Sequence, residues 1–260
     1  MLAITRDVWE GHDYVPRVWQ SWLRDHRGIL LVAEIGGEIA GFQHVAVHPD
    51  RTAWLEGIRV REQMQGAGVG STLLAAGIEW ARFNVLEGVR LSTASANPAS
   101  NRMAEKAGFR AVARFESVRV SAGNNGERRA RPARPDEFDE VRGALGDTCY
   151  YTEGWTAYRL TDDRLRLLLA TNQVLVAGRD GPSAIGIATS TPQRLEPRLG
   201  LLHGTIEGMT EVLVAVGEAA GQVSAEWSRG QLEISDHDLA QLERHGLDRA
   251  WEHHMVLWEL

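Results

Sequence analysis

A single cysteine, Cys149, excludes any disulfide within the chain and any thiolate metal cluster, and it argues against redox chemistry as the basis of function. No apolar run reaches the roughly 18 residues that a bilayer-spanning helix needs, so no membrane partner is expected. Lysine is nearly missing: Lys106 is the only one among 28 basic residues, a feature of composition that carries no functional reading. Basic residues are in deficit overall. The formal net charge of −7 argues against a protein that coats nucleic acid. His237-Asp238 and His253-His254 lack the spacing of metal ligands, and no metal is expected. The N-terminus lacks the basic segment, apolar stretch and small-residue cleavage site of an export signal, so the expected location is cytoplasmic.

The chain has 260 residues, 43% hydrophobic and 24% charged, an ordinary globular balance long enough for two cores. The stretch from Ser121 to Pro132 is rich in turn formers and charge and has no apolar period, so it reads as a linker. The expected division is a first domain at 1–122, a linker at 123–134 and a second domain at 135–260. In the first half, Asp13 can cap a helix that holds Pro16 in its first turn. Val15, Val18, Trp19, Trp22 and Leu23 then form one apolar stripe. Strand-like runs at Ile29 to Glu34 and Ile39 to Val47 flank Gly36-Gly37, a dipeptide suited to a tight hairpin. A strand from Ala53 to Val60 leads through a glycine-rich turn into a helix from about Val69 to Phe83. A strand near Val89 to Ala94, a helix near Ala99 to Ala107 stopped by Gly108, and a strand from Phe109 to Val120 complete an α/β order with a mixed, mostly antiparallel sheet.

The second half echoes this order. Val176-Ala177, Asp180-Gly181 and Ile185-Gly186 repeat the strand, turn and strand of Val32-Ala33, Gly36-Gly37 and Ala40-Gly41. Glu243-Arg244-His245-Gly246-Leu247 repeats the helix end Glu105-Lys106-Ala107-Gly108-Phe109.

In Gln65-Gly66-Ala67-Gly68-Val69-Gly70-Ser71, three glycines let backbone amides approach an anion, and the following helix adds its N-terminal dipole. The segment is no P-loop, lacking Gly-Lys-Ser/Thr, and it has no parallel βαβ context for a dinucleotide. Gln65, Gly68 and Gly70 resemble the Gln/Arg-x-x-Gly-x-Gly/Ala signature of the GCN5-related N-acetyltransferase (GNAT) superfamily. Leu55 to Val60 before the turn, and Asn97 to Phe109 after it, resemble the same family at the expected places. The resemblance covers roughly Trp9 to Val120. It implies acetyl-CoA as co-substrate, with Ile58, Arg59 and Val60 along its pantetheine arm. Gln65, Gly66, Ala67, Gly68, Val69, Gly70 and Ser71 would surround the pyrophosphate, and Asn97 and Ser100 would contribute from the later strand end. Asn97 serves equally as a helix cap before Pro98.

Acyl transfer to an amine needs a base, an oxyanion donor and a tolerable leaving group. Glu56, an ionisable group in an apolar strand, is the candidate general base, with a salt-bridged carboxylate as the competing explanation. The resemblance implies a main-chain N–H, that of Ile58, as oxyanion donor. The family's tyrosine acid has no counterpart, because its aligned position is Ala104. His44 and His48 read as surface or packing residues. Gly11 to Pro16, Trp22-Leu23 and Trp54 to Val60 are similar to histidine N-acetyltransferase-like members, which implies a small amine such as an amino acid as acceptor, with Tyr14 and Trp54 lining its pocket. Protein N-terminal or lysine acetylation, and a non-catalytic acyl-CoA sensor, are the alternatives. Leu202 to Met209 offers no closely spaced glycines, so the second half reads as a degenerate copy without a pyrophosphate loop, one that could complete the acceptor pocket or serve a homodimer contact. Its tryptophans Trp155, Trp227, Trp251 and Trp258 read as core.

Overall fold

The computed structural model describes residues 2–6, 8–123, 130–191 and 194–260. Residues 124–129 of the expected linker lie outside these. The chain is a mixed α/β protein with mostly antiparallel strands flanked by helices, and its contacts divide it into two compact units. The first comprises the chain up to Leu91, Pro98–Ala111 and Trp258–Leu260; the second comprises Ser92–Asn97 and Val112–Leu257. These units interleave along the sequence.

In the first unit a one-turn helix α1 (Leu2–Thr5) precedes α2 (Val15–Trp22). Asp13 Oδ1 accepts the Val15 N–H at 3.1 Å, satisfying one of the orphan donors of the first turn. Val15 and Trp22 are buried, but α2 ends at Trp22 and Leu23 turns outward to 54% exposure, leaving the stripe predicted for it. Strands β1 (Ile29–Ile35) and β2 (Glu38–Val47) pair across a two-residue turn in which Gly36 and Gly37 both have positive φ, 60° and 83°. This is the hairpin that the dipeptide specifies, since only such a turn matches the strand twist. β3 (Ala53–Val60) is antiparallel to β2, and β4 (Val89–Ala94) is parallel to β3. Helix α3 (Val69–Phe83) connects them, α4 (Pro98–Lys106) follows, and Gly108 at φ 91° ends it before β5 (Arg110–Ser121).

Two clusters cover opposite faces of the β1–β3 sheet. Ile4, Val15, Trp22 and Phe42 lie on the α2 face, and Ala40, Val69, Leu73, Ile58 and Val60 on the α3 face. The unit is closed by the far end of the chain: Val89 and Leu260 exchange backbone hydrogen bonds at 3.2 and 2.9 Å. Arg90, fully buried, pairs with Asp50 at 2.5 Å and with Glu259 at 3.3 Å.

The second unit contains β6 (Arg131–Pro132), α5 (Phe138–Leu145), the hairpin β7 (Tyr150–Glu153) and β8 (Thr156–Arg159), and α6 (Asp162–Ala170). A run then follows that matches the first unit in order: β9 (Val174–Ala177), β10 (Ala184–Thr191), β11 (Arg194–Gly204), α7 (Ile206–Gln222), β12 (Trp227–Leu232) and α8 (Asp236–Leu242). β9, β10 and β11 pair antiparallel in sequence and β12 is parallel to β11, as β4 is to β3. A short helical turn ends at Gly246, φ 82°, before β13 (Leu247–Arg249), and β14 (Met255–Glu259) closes the chain. Trp155 and Trp251 are 42% and 41% exposed and are therefore not core, while Trp258 is buried. Among the described residues no helix is long and apolar enough to cross a membrane, and no group of three or more His, Cys, Asp or Glu is arranged to hold a metal ion.

Candidate active site

The glycine turn begins beyond β3 with one helical turn at Glu62–Met64 and ends at Gly68, the N-cap of α3. Gly66 and Gly68 have φ of 78° and 86°, a conformation that costs an L-residue about 1–2 kcal/mol. A Cβ on either would meet no heavy atom within 4 Å, so the backbone there borders open space. Helix geometry leaves the amides of Val69, Gly70 and Ser71 without intrahelical acceptors, and Gly68 has no side chain to cap them. The result is a ring of donors at the positive end of a 15-residue helix, chemistry suited to a phosphate. Gly70 differs from the other two. It faces inward, where a Cβ would stand 3.5 Å from Met103 Sδ, within ordinary contact. Gln65 turns its side chain back to donate to Val60 O at 3.3 Å, pinning the turn to the strand.

The register between β2 and β3 shifts between Phe42↔Arg59 and His44↔Glu56. Gly57 and Ile58 thus oppose Gln43 alone, a β-bulge that takes main-chain groups out of the ladder and reverses which face later side chains take. Leu55 and Ile58 both face α3 as a result, while Glu56 and Arg59 face α2. Gly57 has φ 65°, and a Cβ there would stand 2.2 Å from the Trp22 ring.

On the α2 face, Glu56 Oε1 lies 2.9 Å from His44 Nδ1. A carboxylate only accepts, so Nδ1 carries the proton. His44 Nε2 stands 3.3 Å from Asp25 Oδ2, close enough for an ion pair but off hydrogen-bond alignment. The imidazole is buried and stacked on Trp22 at 4.8 Å and 13°. Arg59 grips Asp13 with two hydrogen bonds of 2.7 and 2.8 Å, and its guanidinium lies over the Tyr14 ring at 5.5 Å. Arg59 Nη1 also donates to Ile58 O at 3.0 Å. Burial, reinforced by the negative charge of Glu56, holds the Tyr14 hydroxyl well above its usual range, so it stays protonated at neutral pH.

Residues 2–109 match the model of the acetyltransferase (GNAT) family. Over that stretch the chain is similar to the GNAT family. Over 75 residues it is 35% identical to histidine N-acetyltransferase of Oreochromis niloticus, covering 28% of this chain and 22% of that protein. Over 102 residues it is 29% identical to mycothiol acetyltransferase of Pseudarthrobacter chlorophenolicus, covering 37% and 31% respectively. The chain thus spans less than a third of the length of these curated relatives. A solved GCN5-related N-acetyltransferase from Sphaerobacter thermophilus shares the fold at a TM-score of 0.67 and 16% identity, over 100% of this chain and 90% of that one.

Within the matched stretch, Ile58 and Val60 pack their side chains toward α3. Ser100 lies partly buried on α4, and Asn97, counted with the second unit, donates its N–H to Ala94 O at 2.9 Å. Ala104 is fully buried, and its methyl side chain has no proton to donate as an acid. Trp54 is 2% exposed and stacks on His48 at 5.1 Å, so it is a packing residue with almost no surface for an acceptor, contrary to expectation. His44, read as a surface or packing residue, is buried against Trp22 and also meets Glu56, with Asp25 near its other ring nitrogen, contacts that the sequence alone did not bring together. The signal was the β2–β3 pairing, which sets His44 directly across from Glu56.

Proposed function

We propose that this chain transfers an acetyl group from acetyl-CoA to the primary amine of a small molecule such as an amino acid, by direct attack with Glu56 as base. The observation that carries this reading is the Glu56 carboxylate held on one oxygen by His44, one residue before a bulge in the strand that leads into the phosphate-suited turn. The pyrophosphate rests on the amides from Gly66 to Ser71, and the pantetheine arm extends β3 along Ile58, Arg59 and Val60 as an added strand. Asn97 and Ser100 contribute from the strand end and α4. The Ile58 N–H, at the bulge, stabilises the oxyanion. Glu56 takes the amine proton, and Tyr14 forms the acceptor side with a neutral hydroxyl. The departing thiol, with a pKa of about 8.5 as for a free thiol, leaves with water as sufficient acid. Relatives named for histidine and mycothiol support a small-molecule acceptor.

The second half is a degenerate copy of the same unit, without co-substrate. Thr205 caps α7 by accepting the Gly208 N–H at 3.2 Å, and Glu207 puts negative charge in the first turn, both unfavourable to a phosphate. Release of coenzyme A thiol, measured against a panel of amino acids, polyamines, aminoglycosides and peptides, tests the reading. Amine-dependent thiol release that collapses in Glu56→Gln is expected. Binding of acetyl-CoA with no turnover on any amine would make the chain a sensor and end the proposal.

A further inference from the structure

The geometry points to His44 as a positioning residue for Glu56. This inference rests on the reading of Glu56 as the base. A glutamate has three rotatable bonds, and partly exposed on a strand it would sample several directions; the Nδ1 donor at 2.9 Å fixes Oε1 and leaves Oε2 for an incoming amine. The ring cannot swing away, because Trp22 stacks against it. Trp22 also fills the space above Gly57, so one indole braces both the bulge and the imidazole behind the base. Asp25, at the far nitrogen, is itself held by the N–H groups of Arg27 and Gly28, at 3.0 and 3.2 Å on its other oxygen. His44 therefore lies between two carboxylates from different elements, β3 and the loop between α2 and β1, and is hydrogen-bonded to Glu56. Tyr14 and the hydrogen-bonded Asp13–Arg59 pair, its guanidinium over the Tyr14 ring, also lie on this face.

Amide substitutions separate the two nitrogens, since Asn puts its N–H donor near the place of Nδ1 and Gln near that of Nε2. In the full-length chain, His44→Gln is expected to lower kcat by roughly 10- to 100-fold, the scale of a base displaced by about an ångström, with KM for acetyl-CoA unchanged. His44→Asn should recover most of that loss. Equal kcat losses in His44→Asn and His44→Gln would assign His44 to packing alone. That result overturns the inference while leaving Glu56→Gln inactive and the base intact. Full turnover in Glu56→Gln overturns the base itself.

Discussion

Gly68→Ala and Gly70→Ala make the same chemical change two residues apart, and the structure assigns them opposite signs. Gly68 holds φ at 86°, where alanine costs about 1–2 kcal/mol, partly offset by about 0.4–1 kcal/mol from the reduced freedom of the unfolded chain. A net destabilisation of about 1 kcal/mol is expected. Gly70 lies in the first turn of α3 with helical backbone, and its new methyl would meet Met103, Val60 and Ile58 at 3.5–3.9 Å, close but unstrained. There alanine should gain about 1 kcal/mol in helix propensity. In a chain of this size each change moves Tm by about 2–4 °C, downward for Gly68→Ala and upward for Gly70→Ala. Coenzyme A affinity, measured by titration calorimetry, separates them again. The Gly68 methyl projects into the open space beside the amides and should weaken binding by at least about tenfold, or ~1.4 kcal/mol, whereas the Gly70 methyl points inward and should leave it within about twofold. If Gly68→Ala shows the Tm loss and binds coenzyme A as well as the parent chain does, the turn is structural and the pyrophosphate lies elsewhere.

Three further outcomes follow from buried polar groups. Gln43 is fully buried under α3 with neither amide atom hydrogen-bonded among the described residues, so Gln43→Met should stabilise by about 1–3 kcal/mol, read as a raised Tm. Asp50→Ala should cost about 3–5 kcal/mol by denaturant unfolding, because it leaves the Arg90 guanidinium buried without its shorter contact; Glu259→Ala, at 3.3 Å and partly exposed, should cost about 1 kcal/mol. In the second unit, the double hydrogen bond from Arg131 and the Arg134 N–H hold the Glu137 carboxyl at about 2 instead of 4.5. A depressed folded value stabilises above the unfolded one and is lost on acidification, so stability should decline between pH 4.5 and 2. The loss is on the order of 2 kcal/mol after screening around the half-exposed Arg131, and Glu137→Gln should flatten that part of the profile.

What local chemistry dictates is legible in the chain itself. Gly36-Gly37 permits one kind of turn, Gly66 and Gly68 permit positive φ beside an open helix start, and apolar periodicity bounds α3 at Val69–Phe83, as predicted. These features depend on residues within a few positions of one another. The arrangement around Glu56 does not. His44 and Asp25 reach it from 12 and 31 positions away, and Asp13 meets Arg59 across 46. Side-chain direction in β3 depends on a single bulge at Gly57, which reverses the alternation that a strand pattern assumes, and on Trp22 occupying the space above it. Likewise the C-terminal residues join the first unit because Arg90 and Val89 find their partners there, a pairing that no local pattern announces. Backbone preference is a property of the segment, whereas register and long-range partners come into being only when strands and helices pack.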